Sequence, residues 1–555
     1  MNHKKYRKMY HPVPITEREW VNKELTHAPI WCSVDLRDGN QALYSPMTID
    51  EKLEFFKFLT DLGFKEIEVG FPAASQTEFE FTRRLIDENR IPDDVTIQVL
   101  TQAREHIIKK TIDSLKGAKH AIVHLYNSTS TLQRKVVFRK NRDEIKRLAV
   151  DGAKLVRELV SGSLDGDIRY EYSPESFTCT EPDYAVEVTN AVLDILKPSK
   201  DNKVIVNLPS TIEVATANVY ADQIEYMCKN LNNRENLVIS LHAHNDRGTG
   251  VASTELGLLA GADRVEGTLL GNGERTGNTD IITVALNMFC QGIDPELNLE
   301  HIDDIVKAYE KYNKLPVSPR HPYAGEMAYV AFSGSHQDAI KKSMDASKDS
   351  QIWENPYLTI DPSDIGRKYE PILINSQSGK GGVSYIMQEK YGYILPKNML
   401  AEFSQIINDM SDKKQTVLTN HEIHQAFKDE YTNICKPIKL DFYRSSNEGD
   451  KTKILAAIER GEKVKTITGT GNGPLDALST ALREQLGIDF EICEYSEHAL
   501  TRSSSSLAAS YIAVKGADDT LFWGVGVDAN INTSSIYALI CAVNKLISQT
   551  KPALG

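Results

Sequence analysis

The sequence predicts an α/β chain led by a (β/α)8 barrel. Short β-branched runs alternate with amphipathic helical stretches from Pro29 to Asp294, eight such repeats can be drawn, and polar residues recur just behind the strand ends. Eight repeats in roughly 265 residues is the size of a barrel of this kind. An open doubly wound sheet would have fewer strands, and the first strand–helix loop carries no G-x-G-x-x-G fingerprint.

Residues 1–29 form an N-terminal extension, basic from Met1 to Tyr10, with no apolar core behind it to make a signal peptide. Strands are expected at Ile30 to Val34, Glu66 to Gly70, Thr96 to Leu100, Ala121 to Leu125, Ile168 to Tyr172, Val204 to Leu208, Val238 to Leu241 and Arg264 to Gly267, giving a barrel domain over 30–294. Between them, Leu53, Phe56, Leu59 and Leu62 share one face of a helix from Ile49 to Leu62, and another helix is expected from Ile212 to Asn230. Residues 295–435 change rhythm. A helix from Leu299 to Leu315 precedes a stretch rich in Pro, Gly, Ser and Asp, Pro316 to Gly382, which reads as an extended linker between helical subdomains.

The last region, 436–555, carries a weak repeat. Thr466 to Leu486 reads as a strand, a Gly-rich turn through Gly469, Gly471, Asn472 and Gly473, and a helix with Pro474 in its first turn. Trp523 to Ile547 repeats the grammar with Gly524, Gly526, a polar turn through Asn530 and Asn532, and a helix from Ser534. Two strand–helix units imply one pseudo-symmetric α+β domain.

At 555 residues the chain needs two or three cores, and its 41% hydrophobic and 25% charged residues are those of a folded globular protein. A formal charge of −13 disfavours nucleic-acid and anionic-membrane partners, and no run approaches the ~20 apolar residues of a membrane span. Seven cysteines, scattered singly without a C-x-x-C pair, read as reduced, in keeping with a cytoplasmic protein.

In a barrel, the residues just after each strand converge on one mouth. Here they include Arg37 and Asp38 after strand one, His124 at the end of strand four, Ser173 and Glu175 after strand five, Thr211 after strand six, His242 and His244 at strand seven, and Gly271 to Asn278 after strand eight. Alternate residues of an extended segment share a face, so His242 and His244 can meet at one point. Two imidazoles and the Asp38 carboxylate make a donor set for a divalent cation with open positions. Such a cation could polarise the carbonyl of a 2-oxo acid, and Arg37 beside it could stabilise the oxyanion.

The segments Asp35 to Gln41, His242 to Asp246 and Gly271 to Asn278 resemble the signature motifs of the Claisen-condensing TIM-barrel family, which includes α-isopropylmalate, homocitrate and citramalate synthases and the hydroxymethylglutaryl-CoA lyases. Asp35 to Leu43, Gly70 to Ser75, Phe332 to Asp338 and Asn375 to Gly382 are similar to the long, leucine-regulated α-isopropylmalate synthases, and the likeness runs over nearly the whole chain. It implies that Asp38, His242 and His244 hold a divalent metal (magnesium, manganese or zinc) with Asn278 in or near its shell. It implies that Arg37, His124, Ser173, Glu175 and Thr211 line the 2-oxo acid and acetyl sites, and that His336 and Tyr357 reach the site from the partner subunit of a homodimer. His336 is then the expected base, with Glu175 and Tyr357 in support. The implied reaction joins acetyl-CoA to 3-methyl-2-oxobutanoate, giving 2-isopropylmalate and CoA at the first committed step of leucine synthesis. The C-terminal domain would sense leucine, through Gly469, Gly471, Asn472, Gly473, Asn530 and Asn532. Two other readings compete: a sister synthase taking another 2-oxo acid, such as a citramalate or homocitrate synthase, and a non-catalytic amino-acid sensor on a degenerate barrel. The intact Arg37, Asp38, His242 and His244 set argues against the sensor.

Overall fold

The computed structural model describes residues 2–348, 350–369, 380–414, 417–432, 434–501, 506–516 and 520–550; the motif residues Asn375 to Gly379 lie outside them. The chain divides into two compact units, Met1–Ala328 with Ile360–Lys368, and Tyr329–Thr359 with Tyr369–Gly555. No helix among the described residues is long and apolar enough to cross a membrane.

The first unit is built on a closed parallel barrel of eight strands: β1 (Ile30–Ser33), β2 (Glu66–Gly70), β3 (Thr96–Gln102), β4 (His120–Ser128), β5 (Asp167–Glu175), β6 (Val204–Ser210), β7 (Leu237–Ala243) and β8 (Arg264–Gly267). Each pairs with the next, and β8 closes on β1 with Trp31 opposite Val265 and Cys32 opposite Glu266. Nearly every strand residue is buried, as expected when helices cover the outside and side chains fill the inside. The helix Ile49–Asp61 starts on a reciprocal cap between Thr48 and Glu51 and buries Leu53, Phe55, Phe56 and Leu59 against the sheet.

The inside of the barrel is not apolar throughout. Ile122, Ile205 and Val238 form a small apolar plug. Around it Arg264 of β8 donates to Glu66 of β2 (2.6 Å), Gln98 of β3 (2.7 Å), Ser240 of β7 (2.9 Å) and Glu266 (2.7 Å). A fully buried guanidinium keeps its charge here because carboxylates surround it, and this polar layer forms the floor of the mouth.

Two helical expectations are corrected. The helix placed from Ile212 begins at Ala217. Residues before it stay in the loop because the Glu213 amide donates to Asp246 (3.0 Å) and the Glu213 carboxylate takes the Arg247 amide, lacing together the loops behind β6 and β7. The stretch read as extended linker contains a 13-residue helix, Gly334–Ala346. Its buried stripe passes through Gln337 and Ile340, so a polar residue stands where a periodicity search looks for an apolar one.

In the second unit the expected repeat is present, enlarged on both sides by further strands. The strands β9 (Lys439–Glu448), β10 (Lys451–Arg460) and β11 (Lys463–Gly471) form an antiparallel sheet followed by the helix Pro474–Leu486. The strands β12 (Glu491–Ala499), β13 (Ala508–Lys515) and β14 (Leu521–Asp528) form a second sheet followed by the helix Ile531–Thr550. The repeats share a core that includes Ile454, Ile467, Leu478, Ile512, Ile536 and Leu539. On the opposite face of the second sheet, Tyr511, Trp523 and Val525 pack on the helices Lys397–Lys414 and Asn420–Tyr431.

Asn472 and Gly473 make the turn before the first helix as expected, but the other glycines of the two motifs do not lie in turns. Gly469 and Gly471 lie inside β11, and Gly524 and Gly526 inside β14. A Cβ on Gly469 would stand 2.1 Å from the Ala477 carbonyl oxygen; on Gly524, 2.3 Å from that of Ala538; on Gly526, 1.9 Å from that of Ser534. In both repeats glycine therefore lets a helix lie directly on strand backbone. Gly524→Ala is expected to cost about 2–3 kcal/mol through overpacking. A urea midpoint for the C-terminal unit equal to wild type would show that the helix seats without this contact.

Candidate active site

β1 ends at Ser33, and the chain turns at once through one wide π-type helical turn, Asp35–Gly39. The Arg37 and Gly39 amides both donate to the Val34 carbonyl oxygen (3.2 and 3.1 Å), and the turn buries Asp38. His242 is the penultimate residue of β7, in register with Glu266 of β8, while His244 lies just past the strand in a backbone bridge with Asn278.

These elements bring the expected trio together. His242 Nε2 lies 3.0 Å from Asp38 Oδ2 and His244 Nε2 lies 3.6 Å from the same oxygen, with ligand atoms of all three residues within 4.8 Å of one another. His242 Nδ1 donates to Glu266 Oε2 (2.6 Å), which fixes the ring and leaves Nε2 for the shared point. Burial works to raise the Asp38 carboxyl, but Arg37, His242 and His244 hold it well below the usual range. Burial likewise opposes a proton on His242, yet Asp38 and Glu266 lift that imidazole to about 9; burial prevails at His244, which falls to about 4. Two imidazoles and an ionised carboxylate packed this closely suit a divalent cation. Beside them, Asn278 Oδ1 is buried without a hydrogen-bond partner among the described residues, while its Nδ2 donates to the Asn272 carbonyl oxygen (3.3 Å), so one more oxygen donor is spare at that edge.

Arg37 and Asp38 do pair (Nη1 to Oδ1, 3.3 Å), but inside the mouth rather than on the surface, with side chains 11% and 3% exposed. Arg37 Nε also meets Glu68, whose other oxygen accepts from His124 Nδ1 (2.8 Å). His124 Nε2 reaches Ser173 Oγ at 2.7 Å. Thr211 Oγ1 accepts from the Ser176 amide (2.9 Å) and its carbonyl takes Arg275 Nη2 (2.6 Å). Glu175 meets the Ser128 hydroxyl, and burial pushes its carboxyl up. Arg37, His124, Ser173, Glu175 and Thr211 line one cavity with the trio, of about 360 Å³, room for a small acid.

An HMGL-like family model matches residues 28–308, spanning the barrel. A model for the α-isopropylmalate synthase post-catalytic domain matches 326–388, and one for the LeuA allosteric (dimerisation) domain matches 417–547. A 2-isopropylmalate synthase of Clostridium acetobutylicum is 54% identical over 556 residues, covering 98% of this chain and 99% of that one. One from Acetoanaerobium sticklandii is 52% identical over 558 residues (99% and 98% covered), and one from Helicobacter hepaticus 52% over 560 (99% and 100%). The chain belongs to the 2-isopropylmalate synthase family.

Two further residues expected at the site of a 2-isopropylmalate synthase, His336 and Tyr357, lie in the second unit. Their exposed rings stack with centroids 4.0 Å apart, so the structure brings these two to each other. In the region matched by the allosteric-domain model, Asn530 Oδ1 accepts from the Asn532 and Thr533 amides (2.9 and 3.3 Å) and caps a helix that starts three residues earlier than expected, at Ile531. The Asn472 amide donates to Asp476 (2.9 Å), Gly473 precedes the helix in extended backbone, Gly469 makes the helix contact described above, and a Cβ on Gly471 would stand 2.5 Å from the Ala477 amide nitrogen.

Sequence reading missed Glu68, Glu171 and Glu266, which hold His124, His242 and Arg264 from below. The signal was available in Glu66-Ile67-Glu68 and Arg264-Val265-Glu266, where charges stand at alternate positions of otherwise apolar strands and so share the inner face. Glu171 approaches His124 Nε2 (3.3 Å) and Arg264 Nη1 (3.5 Å). Burial and the neighbouring Glu266 raise its carboxyl well above the ordinary range, against the pull of Arg264. A raised folded-state pKa makes Glu171's contribution to stability whole below the ordinary carboxylate range, and it is lost progressively as the pH rises towards the folded value. Glu171→Gln, which keeps the neutral shape and does not titrate, should therefore gain on wild type between pH 5 and pH 8 in urea midpoints. A gap that moves the other way would mean that Glu171 is ionised in the folded barrel.

Proposed function

We propose that this chain joins acetyl-CoA to 3-methyl-2-oxobutanoate (2-oxoisovalerate) and hydrolyses the thioester, releasing 2-isopropylmalate and CoA in the cytoplasm, at the entry to leucine synthesis. The observation that carries this reading is the convergence of Asp38, His242 and His244 on one point beside Arg37, in a barrel whose full-length relatives bear that activity in their name. Asp38, His242 and His244 would hold a divalent cation, with Asn278 Oδ1 in reach of its shell. When bound, the cation supplies a Lewis acid for the carboxylate and keto oxygen of the 2-oxo acid.

The chain's own groups account for the rest. A base takes a proton from the acetyl methyl group, the methyl carbon forms a bond to C2 of the 2-oxo acid, and the C2 oxygen gains a proton. Water then adds to the thioester carbonyl, the C–S bond breaks and the CoA thiol leaves. Arg37 stabilises the C2 oxygen as it becomes anionic, because a guanidinium fixed by Glu68 and Asp38 needs no reorganisation. His124 and Ser173, joined by their hydrogen bond, and Thr211 orient the acid. His336 is assigned as the base, supplied by the partner subunit of a homodimer, with Tyr357 stacked on it and Glu175 in support. His336→Ala should lower kcat about 100-fold while leaving 2-oxo acid binding close to wild type; an unchanged rate removes His336 from the reaction.

The C-terminal unit is assigned leucine feedback, supported by the match to the allosteric-domain model. One assay tests the whole reading: CoA release from acetyl-CoA with a panel of 2-oxo acids, with and without chelator and leucine. Fastest turnover with pyruvate or 2-oxoglutarate would give the chain to a sister synthase, and full activity under chelation would end the metal reading.

A further inference from the structure

Asp35 is a charged residue that the reaction above does not use. It opens the turn that carries Arg37 and Asp38, is fully buried, and does not line the cavity. Its carboxylate accepts from the Ser33 hydroxyl (2.8 Å) and, through both oxygens, from the Leu269 amide (3.1 Å each). Leu269 lies in the loop behind β8, and the next residue, Leu270, is held at φ +51°, a left-handed conformation that is strained for a non-glycine residue.

The far end of the same turn is tied to the same loop. The Gly39 carbonyl oxygen accepts from Asn272 Nδ2 (3.0 Å), and the Asn272 carbonyl oxygen accepts from Thr268 Oγ1 (2.7 Å) and Asn278 Nδ2 (3.3 Å). The β1 turn is thus fastened at its first and last residues to the segment that ends at Asn278, with Asp38 between the two ties. Burial pushes the Asp35 carboxyl up to about 7, against the hydrogen bonds from Ser33 and Leu269. A group so costly to bury, placed against a strained backbone, does more than fill space.

We propose that Asp35 is a positioning residue: together with Asn272 it clamps the β1 turn to the β8 loop, fixes Asp38 against His244 and Asn278, and so sets the affinity of the mouth for its divalent cation. This rests on the reading of Asp38, His242 and His244 as metal ligands. Supports behind metal ligands commonly change metal affinity by roughly 10- to 100-fold when removed.

The test is Mn²⁺ binding to metal-stripped full-length protein, read from the electron paramagnetic resonance of the free ion, for wild type, Asp35→Asn, Asp35→Ala and Asn272→Ala. Wild type should bind Mn²⁺. Asp35→Asn, which keeps the shape but loses the charge and one acceptor, should bind it about 10-fold more weakly, and the two alanine variants more weakly still. Saturating Mn²⁺ should then restore most of kcat in Asp35→Asn, a recovery that general loosening of the fold does not give. Wild-type affinity in Asp35→Asn and Asn272→Ala overturns the clamp, as does weakened binding in Asp35→Asn with no recovery of kcat at saturation. Should Asp35→Ala fail to fold, Asp35→Asn decides. Wild type that binds no Mn²⁺ defeats the metal reading itself, and the clamp with it.

Discussion

Asp38→Ala is expected to lose Mn²⁺ binding in the micromolar range and to lower kcat/KM by about 10⁴-fold, because a Lewis-acid cation contributes several kcal/mol and each ~1.4 kcal/mol is a factor of ten. The loss should come with folding intact: Arg37 keeps Glu68 as a partner when Asp38 is gone, and His242 keeps Glu266. His242→Ala should behave in the same way and fold less well, since it leaves the Glu266 carboxylate buried with one donor fewer. Circular dichroism with direct Mn²⁺ titration checks both halves. An Asp38→Ala protein that binds Mn²⁺ as tightly as wild type would mean that the trio is a charge network and not a metal centre.

The second large effect belongs to Arg37. Replacement by Met should lower kcat and kcat/KM together by about 10³-fold, because an interaction that strengthens only as the C2 oxygen becomes anionic is lost from the transition state and not from substrate binding. It also takes the guanidinium from the buried Glu68 carboxylate, which keeps its His124 and Gln98 hydrogen bonds, and leaves Asp38 facing it, so some loss of stability, about 3–5 kcal/mol, accompanies the kinetic one. Arg37→Lys separates the two. It keeps a positive charge between the carboxylates and gives up the planar fork, so it should recover much of the stability and little of the rate. A lysine variant with near wild-type kcat would show that charge alone suffices at this position.

The barrel was legible because its outward and inward packing leave plain marks. The eight strands fall where the β-branched runs place them, though β4 and β5 run on to Ser128 and Glu175, so His124, Ser173 and Glu175 reach the shared cavity from within strands rather than from behind their ends. His242 and His244 were legible for the same reason, alternation along an extended segment. What stayed hidden depends on contacts between distant elements. Nothing local at Ile212 reveals that Glu213 takes an amide thirty-four residues on, which holds that stretch out of the helix. The glycine pairs of the C-terminal unit were visible as glycines but not as helix seats, since the partner atoms belong to Ala477, Ser534 and Ala538 further along the chain. The buried carboxylates below the mouth were in view as alternating charges inside strands, yet their role appears only once Arg264 is seen to reach across the barrel to β2 and β3.

Those glycine seats have a mechanical consequence. Where a helix touches its sheet main chain to main chain, no rotamers lie between them to absorb a displacement, so strand and helix shift as one stiff block. Compliance in the C-terminal unit is left to the layer of Ile, Leu and Val side chains between the two repeats. A small molecule seated between those blocks would press on hydrocarbon rather than on backbone, and any displacement would have to pass through that layer.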